Sequence, residues 1–119
     1  MIVKVKDLVA AITAAAHYDT RPAIHLAGRS IFVLARGRPA ITEVIGRRTE
    51  APAEGAADVC AQCALHALAY FSGKGQQEVD VTAADDRLFL RAAGERYRVP
   101  NGDAEDKHGG HCGWIEPAD

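Results

Sequence analysis

The stretch DDRLFLRAAGERYRVP, Asp85 to Pro100, decides the reading of the fold. Arg87–Arg91 alternates charged or aromatic residues with leucines, and Glu95–Pro100 follows a turn at Ala93-Gly94. Alternation with a period of two marks a half-buried strand. Upstream, Glu78–Ala83 alternates in the same way, and Ala84-Asp85-Asp86 joins it to Arg87–Arg91 as a hairpin turn. Before these strands a helix is expected from near Asp58 to Gly73. It has Cys60, Ala64, Ala67 and Phe71 on one face and Gln62, His66 and Ala69 on the opposite one.

The first half repeats this order loosely. Ile2–Lys6 alternates and reads as a strand. Asp7 is placed to cap an alanine-rich helix, Leu8–His17, which Pro22 terminates. Ile24–Leu26, Ser30–Ala35 and Ile41–Ile45 follow as strands, and Arg47–Gly55 as a polar connection. The expected fold is α+β in the order β-α-β-β-β-α-β-β-β. Two helices pack on one face of an antiparallel sheet, because short connections between neighbouring strands force antiparallel pairing. Residues 1–100 form the domain. Residues 101–119 are a polar tail rich in Gly and His, which only Trp114-Ile115 could anchor.

The chain has 119 residues, 48% apolar and 25% charged, the profile of one globular domain. A formal charge of −2 gives no global basic signature of a nucleic-acid binder. The apolar runs fall far short of the roughly 18 residues of a membrane span, and the start MIVKVK lacks a signal-peptide core. Three cysteines, an odd count, argue against a disulfide framework and for a reduced, cytosolic protein.

MIVKVKDLVAAITAAA (Met1–Ala16), ITEVIGRRTEAPAE (Ile41–Glu54), the hairpin and strand Val79–Pro100, and Asp103-Ala104-Glu105-Asp106 follow one another in an order that resembles a domain of the bacterial DNA polymerase III beta sliding clamp. The resemblance implies a non-enzymatic domain that assembles with others of its kind and acts in replication, or interferes with it from a phage or other mobile element. In that family the helices line a DNA-filled hole and carry Lys and Arg. Here neither Leu8–His17 nor Asp58–Ser72 contains one, so weak or no duplex binding is expected.

Those uncharged helices suggest another use. Ala10, Thr13, Ala14 and His17, with Gln62, His66 and Ala69, would form a neutral outward face. Exposed helix faces normally carry charge, so this one reads either as a tolerated alanine-rich surface or as a contact between copies, a dimer or larger.

Two further sets stand out. Arg87, Arg91, Arg96 and Arg98 alternate along the last strands and would form a basic stripe for nucleic acid, or else a solvated face balanced by Glu78, Asp80 and Glu95. His108, His111 and Cys112 are candidate metal ligands in the tail and would make the protein a small metal-binding regulator. Cys60 and Cys63 read as apolar helix residues, and no bound metal or cofactor is expected. No nucleophile–base pair or carboxylate motif suggests catalysis.

Overall fold

The computed structural model describes residues 1–37, 40–49, 54–101 and 114–117. Among these residues it is an α+β fold of two helices and nine strands in two antiparallel sheets. The elements are β1 (Ile2–Lys4), α1 (Val5–Ala16), β2 (Ala23–Ala27), β3 (Ser30–Ala35), β4 (Ala40–Ile45), β5 (Gly55–Asp58), α2 (Ala61–Gly73), β6 (Glu78–Ala84), β7 (Arg87–Ala92), β8 (Glu95–Val99) and β9 (Trp114–Pro117).

The strands divide in a way that the linear order does not reveal. One sheet runs β4-β3-β2-β5 and the other β1-β6-β7-β8-β9. Each half of the chain is therefore a β-α-β-β-β unit whose first strand leaves its own sheet for the other. β1 pairs with β6, Ile2 opposite Asp80, and β5 pairs with β2, Ala23 opposite Asp58. α1 packs on β3 and β4, α2 packs on β8, and the helices touch each other.

Both helices bury one stripe. Val5, Leu8, Ala11, Ile12 and Ala15 face inward from α1, and Cys63, Ala64, Ala67, Leu68 and Phe71 from α2. This i, i+3, i+4 spacing is the apolar face of an amphipathic helix. The stripes meet alternate residues of the sheets, among them Ile31, Val33, Val81, Leu88, Leu90 and Val99, in one core.

Several boundaries differ from the sequence reading. α1 begins at Val5, so Lys4 is its N-cap and Asp7 lies in the first turn without capping it. A carboxylate there still favours the positive end of the helix dipole. Residues 55–58 form β5 and α2 starts at Ala61, so Asp58 is a strand residue. The tail returns as β9, where Ile115 stands opposite Tyr97.

The two sheets meet at close seams. Past the end of β4, Arg47 exchanges backbone hydrogen bonds of 2.8 and 2.9 Å with Ile2 of β1. Gly46 makes this approach possible, since a Cβ there would lie 2.7 Å from the Ile2 carbonyl oxygen. Gly55 does the same at the other seam, where a Cβ would meet the Ala83 carbonyl at 2.6 Å. The β6–β7 hairpin turns through Asp85 and Asp86, both at positive φ (54° and 59°), as a tight two-residue turn with right-handed strand twist requires. Ala93, at φ 50°, opens the next hairpin with no side chain to offset the left-handed geometry.

Two substitutions test these features by chemical denaturation. Gly46→Ala should destabilise the fold by about 1–3 kcal/mol, because a Cβ would meet the Ile2 carbonyl oxygen and the buried Val3 and Met1 side chains together. Ala93→Gly should stabilise it by about 0.5–1 kcal/mol by relieving the left-handed strain.

Candidate functional site

The described surface offers three faces of different chemistry. The helical face is the neutral one. Ala10, Thr13, Ala14 and His17 of the first helix region and Gln62, His66 and Ala69 of the second are all exposed, as the helical periodicity requires. A groove runs between the helices, with Val9 and Thr13 on one wall and Leu65, Leu68, Ala69 and Ser72 on the other. Lys4, Lys6 and Glu78 bring charge to its lining. The early start of α1 brings Lys6 and Asp7 into the helix, and Lys74 caps α2.

The outer face of the β4-β3-β2-β5 sheet mixes apolar and polar residues, with two exposed isoleucines on its β4 edge, and the sequence reading did not single it out. Its register sets Ile41, Leu34, Ala23 and Asp58 in one cross-strand row, and Glu43, Phe32, His25 and Ala56 in the next. Ile41 is 62% exposed and Ile45 72% exposed. Both lie on β4, which ends the sheet. Glu43, between them, accepts a hydrogen bond from the Ser30 hydroxyl.

An edge strand presents unpaired backbone groups, and proteins protect such edges with short strands, lysine or proline. The other sheet edges follow that rule among the described residues: β1 has three residues, β5 four and β9 four. β4 has six and carries neither Lys nor Pro, with Glu43 as its charged residue. The signal available in the sequence was isoleucine at both ends of a strand with a solvated middle. Its meaning depends on β4 being an edge, which strand order alone decides.

The outer face of the other sheet is basic along β7 and β8. Arg91 stands opposite Arg96, and Phe89 opposite Arg98. The sheet therefore brings Arg87, Arg91, Arg96 and Arg98 onto one face, as their alternation suggests. The Arg96 guanidinium lies 4.9 Å from the centre of the Phe89 ring, and it donates to Glu116 of β9 at 2.7 and 3.2 Å.

The acids expected to balance these arginines are placed differently. Glu78 pairs with Arg47 at 3.0 Å, and Asp80, across from Arg91, accepts from the Met1 amino group at 2.7 Å. Glu95 points to the helical side of the sheet. It accepts from Lys74 Nζ at 2.6 Å and from the Tyr70 hydroxyl at 2.7 Å, tying the end of α2 to β8. The hydrogen bond from Lys74, and then that from Tyr70, holds the Glu95 carboxyl below its ordinary value, and the same tie to Glu95 pushes Lys74 up to about 12.

A further polar cluster stitches one end of the molecule. Asp19 accepts from the backbone N–H of Arg21 (2.9 Å) and of Arg36 (2.7 Å), and Arg36 pairs with Asp58. The Arg21 Nε donates to the Asn101 carbonyl at 2.6 Å. Burial raises the Asp19 carboxyl, but the two backbone donors and both guanidinium charges outweigh it and leave the group below its ordinary value. Every carboxylate here is held by arginine or backbone, so the cluster joins chain segments and offers no general base.

Cys63 is buried and Cys60 half-buried against the core, so both act as small apolar residues. No cluster able to hold a metal ion occurs among the described residues, and His108, His111 and Cys112 lie outside them. No helix among the described residues is long and apolar enough to cross a membrane. Comparison with protein-family models, with curated proteins and with solved structures returns no match.

The Lys74–Glu95–Tyr70 tie makes a pH prediction. The Glu95 pKa is depressed on folding, so its stabilisation is present above the ordinary carboxyl value of 4.5 and is lost as pH falls through the folded value. Glu95→Gln should lower the melting temperature slightly at neutral pH. That difference should vanish in acid, once the wild-type carboxyl is itself protonated. A difference that persists unchanged in acid would show that the carboxylate charge is not what holds α2 to β8.

Proposed function

We propose that this protein is a non-enzymatic assembly domain, similar in build to one domain of a sliding clamp, whose copies associate through the open edge of β4. The observation that carries the reading is the pair of exposed isoleucines on a six-residue edge strand. Full burial of an isoleucine side chain contributes about 1.5–3 kcal/mol, against roughly 0.8 kcal/mol for a single methylene-sized group. Ile41 and Ile45 therefore outweigh the methyl groups of Ala10, Ala14 and Ala69 as anchors. Pairing of β4 backbone with a second copy adds directional hydrogen bonds to that apolar contact.

Further support comes from the two β-α-β-β-β halves and their exchanged first strands, which is the duplicated build that the clamp resemblance implies. The helical face, with Ala10, Thr13, Ala14, His17, Gln62, His66 and Ala69, then remains open for a different protein partner. A component of the replication machinery, in the cytosol of the host or of a cell carrying a mobile element, is the partner that fits the resemblance. Duplex DNA does not fit that face, because phosphate affinity comes from Lys and Arg and the middle of both helices has neither.

Light scattering at micromolar concentration tests this directly. The wild type should give a multiple of the monomer mass, and Ile41→Lys with Ile45→Lys should give the monomer while leaving the melting temperature nearly unchanged. Ala14→Glu and Ala69→Glu should leave the assembly intact. A wild type that is monomeric throughout, or one dissociated by the alanine changes and not by the isoleucine changes, overturns the reading.

A further inference from the structure

We infer that the outer face of β7 and β8 binds single-stranded nucleic acid. This surface lies in the sheet that does not contain β4, so the inference does not rest on the assembly reading.

Four arginines from two neighbouring strands share this face, and the register sets Arg91 directly opposite Arg96. Like charges directly opposite on a sheet are destabilising, and the core lies on the other side of these strands. The Arg96–Glu116 ion pair offsets part of that cost, and an anion lying between the arginines offsets more. Arginine is also the side chain whose planar fork matches phosphate oxygens two at a time. Acidic groups bound the stripe on both sides, Asp80 on β6 and Glu116 on β9, so the positive potential is confined to β7 and β8.

The centre of the stripe is aromatic. Phe89 is half-exposed, with Arg98 across from it and the Arg96 guanidinium 4.9 Å from its ring centre. Aromatic rings and guanidinium planes stack on unpaired bases, at about 1–3 kcal/mol per base for an aromatic platform. An acidic peptide would use the charge but not the flat apolar centre. A duplex hides its base faces, so a flat sheet can reach only its phosphates. The surface therefore selects a strand with its bases exposed, and it reads phosphate and ring without reading sequence.

Fluorescence anisotropy with a labelled oligo(dT) of roughly 16 nucleotides is the test. Binding should be micromolar at low salt, and contacts to four phosphates should weaken it roughly 50-fold between about 50 and 200 mM salt. Arg91→Ala with Arg98→Ala should weaken binding at least tenfold and flatten the salt dependence. Phe89→Ala should weaken oligo(dT) binding severalfold, while binding of poly-glutamate stays as it was. Melting curves confirm that each variant is folded, and Phe89→Leu serves as a second variant that keeps the packing but removes the ring. A matched duplex should bind at least tenfold more weakly. No binding of oligo(dT) at 50 mM salt overturns the inference. So does equal competition by poly-glutamate with no effect of either Phe89 change, which would make the face a plain anion patch suited to an acidic protein.

Discussion

The exchange of first strands between the two halves of the chain is the constraint on which the rest depends. β1 completes the sheet of the second half, and β5 completes the sheet of the first. Neither half can then bury its helix without the other. The stripes of α1 and α2 share one core with both sheets, and the seams at Gly46 and Gly55 bring the sheets so close that no side chain fits between them. This interlocking settles which strands end as edges. Among the described residues it leaves β4 as a six-residue edge, while the exchanged strands themselves are the short edges β1 and β5.

The same constraint explains what the sequence reveals and what it hides. Both helices, the hairpin turns and the six strands β2, β3, β4, β6, β7 and β8 announce themselves through local periodicity and turn chemistry. β5 does not, because Gly-Ala-Ala-Asp has almost no strand propensity and becomes a strand only because β2 offers it an edge. The start of α1 at Val5 is hidden for a related reason: Val5 and Lys6 continue the alternation of β1, yet Val5 belongs to the buried stripe of the helix. Division into two sheets is a matter of long-range pairing, about which period-two patterns say nothing.

The candidate surfaces divide in the same way. Faces that depend on one element's own period were legible: the seven neutral helix positions are exposed together, and the alternating arginines do share a face. Properties that depend on neighbours were not. Glu95 looks like a counter-charge for the arginines, but its parity along β8 turns it toward Tyr70 and Lys74. Ile41 and Ile45 look like ordinary strand residues until β4 is known to be an edge. The outcome is a small domain with three chemically distinct faces: one neutral, one mixed with isoleucines on its edge, and one basic.

Amide hydrogen exchange at low and high protein concentration tests the central claim, assembly through the open edge of β4, most directly. The amides of β4 that do not bond to β3 should exchange freely in dilute solution and become protected as concentration rises, while the exposed face of α1 and α2 stays unchanged. Protection that grows on the helices instead, or an exchange pattern independent of concentration, would contradict it.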